Sequence, residues 1–265
     1  MSCPECFSGH VNPGTPTGKW ETIQSLRTYV AEPAKGKTTA GIIVIVPDAF
    51  GVDFINNQIL ADHYASAMDC LVYLPDLQAG HAAPVRTMIN MSYIWDETVS
   101  WLYKPYYIVA TAIDFIPCLI RNRLGVCWPR VTAFFRALQD QNTQSYAVGV
   151  AGFCWGGLHA VKLAHDTPET RTSDGLRPLV NAIFAAHPSN LTVESDIGDI
   201  RRNISIAIGD DDAVMNLQQV KQAEAILATK EDVESEVVTR QAEEAEKQAV
   251  AWFQREFGKV AQGAK

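Results

Sequence analysis

Residues 149 to 157 read Gly-Val-Ala-Gly-Phe-Cys-Trp-Gly-Gly. The apolar run from Tyr146 to Val150 before them has strand character, and Leu158, Ala160, Val161, Leu163 and Ala164 after them follow a helical pattern. Cys154 therefore stands in a G-x-C-x-G frame at a strand-to-helix turn, the geometry of a nucleophile elbow. Such a turn leaves no room for a Cβ on close neighbours, which accounts for Gly152 and Gly156. It lifts the central side chain above the sheet and points the next backbone N–H at the same reacting atom. Cys154 is thus the candidate nucleophile, and the N–H of Trp155 a candidate oxyanion donor. The plainer alternative is a glycine-rich joint around a buried cysteine, and two glycines at the required spacings weigh against it.

The rest of the chain alternates strand-like and helix-like segments. Leu26 to Ala31 and Ile42 to Val46 read as strands, the second a continuous apolar run suited to a buried parallel strand. Ile55 to Met68 reads as a helix, and Cys70 to Leu74 as a short strand ended by Pro75. Beyond the elbow come strands at Leu179 to Ala185 and Ile204 to Ile208 and a helix through Leu217, Val220, Ala223 and Leu227. A strand from Val233 to Val238 and a final helix carrying Trp252, Phe253 and Phe257 follow. This order implies one α/β domain over residues 1–265, with a mostly parallel sheet covered by helices on both faces and a tail over residues 1–20.

Composition narrows the partners. A formal charge of −8 on 265 residues argues against nucleic acid or an anionic membrane, since both attract concentrated Lys and Arg. The first six residues, Met-Ser-Cys-Pro-Glu-Cys, contain no basic n-region or apolar h-region, so no secretory signal is read and a cytoplasmic location is expected. Six cysteines are then expected as reduced thiols. Cys3, Cys6 and His10 could begin a zinc site, but no fourth ligand is near, and no metal or cofactor is expected. Residues 88–128, with Trp95, Trp101, Tyr103, Tyr106, Tyr107, Phe115 and Trp128, read as helices inserted between strands, either a cap over the site or extra core or a dimer face. The apolar stretch from Tyr106 to Ile120 is too short and too charged to span a bilayer comfortably.

Four local matches make the chain resemble the dienelactone hydrolase family of α/β-hydrolases, most nearly its fungal branch: Pro47-Asp48-Ala49-Phe50-Gly51-Val52, Leu74-Pro75-Asp76-Leu77, Gly152-Phe153-Cys154-Trp155-Gly156-Gly157, and Gly209-Asp210-Asp211-Asp212. The resemblance runs from Gly14-Thr15-Pro16 to the last helix. It implies an α/β-hydrolase fold, with Cys154 as nucleophile, Asp212 as the acid that orients an imidazole, and Asp48 as the carboxylate that meets the resting thiol. It also implies the N–H of Ala49 as the second oxyanion donor. Asp210 and Asp211 compete with Asp212, and a solvated acidic turn is the plain alternative.

The departure from the family is the histidine. A cysteine hydrolase needs an imidazole to take the thiol proton, and this fold places it after the acid, beyond the last strand. The histidines are His10, His63, His81, His159, His165 and His187, and none follows Asp212. Where the resemblance implies a His-bearing loop, the chain passes from Glu236-Val237-Val238 through Thr239-Arg240 into Gln241-Ala242-Glu243-Glu244. A missing segment of roughly ten to twenty residues is expected there, with a spatial gap beside Thr239-Arg240. A natural deletion that ended hydrolysis would leave the same pattern, as would substitution by His187 of Ala-Ala-His-Pro-Ser at a strand end. His159, one turn into the elbow helix, is expected to point away from the thiol.

Bacterial relatives bind a substrate carboxylate with an arginine after the Pro-Asp-Leu segment, where this chain has Gly80, and Arg86 is the nearest replacement. The substrate expected is therefore a small apolar ester, lactone or thioester, handled by a monomer or homodimer through a Cys154 acyl intermediate. A non-catalytic binding protein that keeps the pocket, or a secondary-metabolism enzyme using it for a non-hydrolytic step, are the competing readings.

Overall fold

The computed structural model describes residues 11–209, 215–239 and 242–263. Its strands are β1 (Lys19–Ile23), β2 (Leu26–Ala31), β3 (Ile42–Val46), β4 (Leu71–Pro75), β5 (Val148–Phe153), β6 (Ala182–Ala186), β7 (Ile204–Ile208) and β8 (Ser235–Thr239). The α-helices are α1 (Ile55–Met68), α2 (Val85–Trp95), α3 (Lys104–Arg121), α4 (Leu124–Asp140), α5 (Trp155–Leu163), α6 (Leu217–Ala228) and α7 (Ala242–Gly263). The strands form one sheet in the order β1-β2-β4-β3-β5-β6-β7-β8. β1 and β2 pair antiparallel, as do β2 and β4, and every other neighbouring pair is parallel.

The central strands are apolar along their whole length because both faces are covered. Along β3, Ile42, Val44 and Val46 point into one core, and Ile43 and Ile45 into the other. The first core is closed by α4, α5 and α6 through Phe134, Phe135, Val161 and Leu227, and the second by α1 and α7 through Tyr64, Trp252 and Phe253. Gly149 of β5 marks the closest approach of α7, since a Cβ there would lie 2.7 Å from Phe253 Cε1.

Two expectations change. The tail assigned to residues 1–20 gives way to β1, which starts at Lys19 and pairs Lys19 with Val30 at the sheet edge. Its sequence, Lys-Trp-Glu-Thr-Ile, is largely exposed and offers no apolar run to recognise. The inserted region is also larger than residues 88–128, because α2 begins at Val85 and α4 continues to Asp140 with Phe134 and Phe135 in the main core.

Phe253 is fully buried. Phe253→Ala should cost about 3–5 kcal/mol, since it removes a ring from a packed sheet–helix interface. Urea unfolding read by circular dichroism checks this, and a loss under about 1 kcal/mol would mean that α7 is not part of the cooperative core.

Candidate active site

β4 and β5 flank β3 on opposite sides, so the chain reverses its direction of travel across the sheet at β3. Open α/β sheets bind ligands at the carboxyl ends of strands at such a reversal. Asp48 follows β3 by two residues, and Cys154 follows β5 directly. Cys154 has φ 50° and ψ −108° and is the residue that caps α5. A left-handed φ on a cysteine is strained, and strain of this kind is kept at sites where it aims a side chain.

The glycines of the elbow explain how the turn closes. A Cβ on Gly156 would lie 2.0 Å from Val46 O, and one on Gly152 would lie 2.3 Å from Gly156 O. The Gly156 N–H donates to Pro47 O at 3.1 Å, which ties the first turn of α5 to the loop after β3. Trp155 is the first residue of α5, so its N–H has no carbonyl one turn back to bond.

Asp48 lies on the other side of this contact. Its Oδ1 accepts from Phe50 N at 2.9 Å and from Asn57 Nδ2 at 3.1 Å. Gln78 Nε2 donates to Asp48 O at 3.1 Å, so the loop bearing Ala49 is held by α1 and by the segment after β4. Burial pushes the Asp48 pKa up to about 6, and the negative charge of Cys154 adds to the rise. The bonds from Asn57 and Phe50, and the positive charge of His187, pull the other way. Cys154 and His187 are thus both close enough to Asp48 to act on its charge.

His187 directly follows β6. Its turn is laced to the elbow, because Cys154 N donates to Ala186 O at 3.0 Å and Ser189 N donates to Cys154 O at 3.0 Å. His187 has φ 35°, and its N–H donates to Ala207 O at 2.7 Å. Two strained residues thus sit side by side on adjacent strand ends. His159 does not join them. It is buried, it meets Trp155 O through Nδ1 at 3.1 Å, its ring lies 4.3 Å from that of Trp155, and burial pushes its pKa down to about 4.

The inserted helices reach the site by a route the sequence does not announce. Trp95 and Trp101 are 64 % and 74 % exposed, and the Tyr107 ring lies 4.9 Å from that of Tyr93 and 5.3 Å from that of Tyr106. The last turn of α3 does the covering. The Cys118 thiol lies 3.9 Å from Ala49 O, and Trp155 Nε1 donates to Asn122 O at 2.7 Å. Asn122 Nδ2 also donates to His81 O at 2.7 Å, closing the segment after β4 over the same edge. Asn57, Gln78, Cys118 and Asn122 are positioning residues that the sequence reading missed or left as core. Arg86 is not at the site, since it forms two 2.7 Å bonds to Asp114 of α3.

Asp210, Asp211 and Asp212 lie outside the described residues, as do Cys3, Cys6, His10 and the Arg240-Gln241 link at the expected gap. β8 ends at Thr239 and α7 begins at Ala242, so only these two residues separate the strand from the helix. A base-bearing loop of the expected length is not present in this sequence. Among the described residues, no group of His, Cys, Asp and Glu is placed to hold a metal ion.

Comparison with known proteins bears on the family and the fold. The chain is 24 % identical over 227 residues to hydrolase tropI of Talaromyces stipitatus, covering 86 % of this chain and 77 % of that one. It is 23 % identical over 219 residues to the carboxymethylenebutenolidase homolog of Rattus norvegicus, covering 82 % and 74 %. The crystal structure of dienelactone hydrolase from Anabaena variabilis superposes with a TM-score of 0.58 at 15 % identity, covering 91 % of this chain and 98 % of that one, which establishes the α/β-hydrolase fold. The family model for the dienelactone hydrolase family matches residues 26–240, more than three quarters of the sequence by span, and the chain belongs to that family.

Proposed function

We propose that this protein hydrolyses an apolar carboxylic ester, lactone or thioester through an acyl intermediate on Cys154, with His187 as the general base. The observation that carries the reading is the left-handed Cys154 at the junction of β5 and α5, clamped against the end of β3. Membership of a hydrolase family supports it.

The chemistry follows from the arrangement. His187 takes the Cys154 proton, and the thiolate attacks the carbonyl carbon. The N–H groups of Ala49 and Trp155 receive the developing oxyanion. Collapse of the tetrahedral adduct breaks the bond to the leaving group, which takes the proton from His187. A water molecule then loses a proton to His187, adds to the thioester and releases the acid, and the returning proton restores the thiol. Asp48 stabilises the imidazolium between these steps, and Asp212, by the family resemblance, is assigned the orienting role.

The absence of a histidine after β8 favours one competing reading, a binding protein that keeps the crevice and lacks turnover. Turnover of small activated esters decides between them. Cys154→Ala should abolish it with an unchanged melting temperature, and Cys154→Ser should retain only a trace, because a hydroxyl is a poor nucleophile in a site built for a thiolate. Equal turnover in Cys154→Ala would remove the nucleophile assignment.

His187→Ala should lower kcat/KM by about a hundredfold to ten-thousandfold, the usual worth of a positioned base. It should also abolish the acid limb of the pH–rate profile, a change that a packing role would not produce. If His187→Ala keeps the wild-type profile while Cys154→Ala is dead, the base lies elsewhere and the nucleophile stands.

Asp48 gives a pH-dependent stability. Its folded pKa of about 6 lies above the roughly 3.9 of an unfolded aspartate. Well below pH 4 the carboxyl is neutral in both states; between about pH 4 and 6 only the unfolded carboxyl ionises, so stability falls across that window and stays at the lower level above it. Asp48→Asn should therefore leave stability nearly unchanged at pH 4 and raise it at pH 7.5, by at most about 3 kcal/mol for a shift of this size. Thermal melts at the two pH values check the sign, and a variant less stable at pH 7.5 than at pH 4 relative to wild type would contradict it.

A further inference from the structure

Asn122 occupies the break between α3, which ends at Arg121, and α4, which begins at Leu124. In the sequence it is one polar residue among others, Ile-Arg-Asn-Arg-Leu, yet it is only 3 % exposed. A buried side-chain amide is costly unless its polar atoms find partners. Here all of them do. Nδ2 donates to His81 O at 2.7 Å and to the Cys118 sulfur at 3.3 Å, and Oδ1 accepts from the Cys127 thiol at 3.7 Å. The backbone N–H closes the last turn of α3 on Cys118 O at 2.9 Å, and the carbonyl accepts from Trp155 Nε1 at 2.7 Å. A fully bonded network of this kind makes rigid the segments it joins.

Two of those segments carry the N–H groups assigned to the oxyanion. Trp155 is tied to Asn122 directly, through its indole. Ala49 is tied through Cys118, whose sulfur accepts from Asn122 and whose thiol donates to Ala49 O at 3.9 Å. The same carbonyl accepts from Ala83 N at 2.8 Å, two residues beyond the His81 carbonyl that Asn122 also holds. Ala49 and Trp155 follow different strands, β3 and β5, and their backbones are joined at the elbow by the Gly156 to Pro47 bond. An oxyanion hole works only when its donors converge on one oxygen, about 2.7–3.1 Å from each. The bonds of Asn122 form a second brace between the two donor residues, made from the inserted helices.

We propose that Asn122 is a positioning residue of the oxyanion hole: through Trp155 on one side and Cys118 on the other, it sets the separation of the Trp155 and Ala49 N–H groups. The proposal rests on the assignment of Cys154 as nucleophile. It gives the insertion a part in catalysis without any of its residues touching substrate. The alkoxide exists only in the tetrahedral adduct, so a loosened brace weakens the adduct and leaves ground-state binding alone.

A trifluoromethyl ketone with an apolar chain, compared with its secondary alcohol, tests this. The Cys154 sulfur forms a bond to the ketone carbon, the carbonyl π pair becomes the alkoxide, and the thiol proton passes to His187. The adduct has no leaving group and reverts. The alcohol occupies the crevice without adding to the thiol. Trp155→Phe keeps a ring and removes the indole donor, Cys118→Ala cuts the link to Ala49, and Asn122→Ala removes the amide. Each should raise Ki for the ketone by about tenfold or more and leave binding of the alcohol within about twofold of wild type. Ki does not depend on the fraction of protein folded, so a purely structural defect would not produce this split, and the first two variants serve if Asn122→Ala fails to fold. Unchanged ketone affinity in Trp155→Phe and Cys118→Ala, or equal losses for ketone and alcohol, would overturn the brace. In either case a Cys154→Ala variant that binds the ketone no better than the alcohol would leave the nucleophile standing. A wild type that itself shows no preference for the ketone would remove the hydrolase reading and the brace together.

Discussion

The first turn of α5 lies so close to the end of β3 that the carbonyl of Val46 occupies the place where a side chain on residue 156 would begin. This backbone contact determines the rest of the site. It positions Cys154 beside the loop of Asp48 and Ala49, and it lets the Gly156 N–H bond Pro47 O. With the elbow pressed down here, the carbonyls of Cys154 and Ala186 lace β5 to the turn after β6. Any residue larger than glycine at 156 would have to push the elbow away from the end of β3.

Burial makes Asp48 chemically unusual. A carboxylate with two hydrogen bonds to Oδ1 ordinarily becomes more acidic, yet here burial and the neighbouring thiolate outweigh the bonds and the pKa rises. The imidazole of His187 is the positive group that opposes this rise. In chain order the base would then lie between the nucleophile and the acidic turn, whereas the usual order of this fold puts it last. Adjacent parallel strands make the exchange geometrically cheap, because β6 is the neighbour of β5 and the residues at its end bond the backbone of Cys154.

Much of the fold was legible because burial leaves a pattern. β2, β3, β7 and α1 begin and end where the apolar runs and the helical periodicity say they should. β1 was not legible, since an exposed edge strand such as Lys-Trp-Glu-Thr-Ile has no core face to betray it. At the site, Cys154 and its two glycines were readable because steric necessity fixes their spacing. Asp48 was reached through resemblance alone. Asn57, Gln78 and Asn122 were invisible, because a polar residue that holds a loop looks like any other polar residue until the loop is seen. The aromatics of the insertion left several readings open, since hydrophobicity in a sequence does not tell whether a residue faces a core, a pocket or water, and Trp95 and Trp101 are exposed.

The place of the insertion also governs how the molecule comes into being. β3 pairs with β5 in a register that joins Ile42 to Val148, residues about a hundred positions apart, and α2, α3 and α4 lie in the interval. On a ribosome, β3 and β4 emerge long before the strand that must lie on the other side of β3. During that time one edge of β3 is unsatisfied, and Ile42 to Val46 is an apolar segment with high strand propensity. Folding of the half-made chain is thus a race between helical packing of the inserted region, which is local and fast, and self-association of that edge, and the crevice can form only after both have been decided.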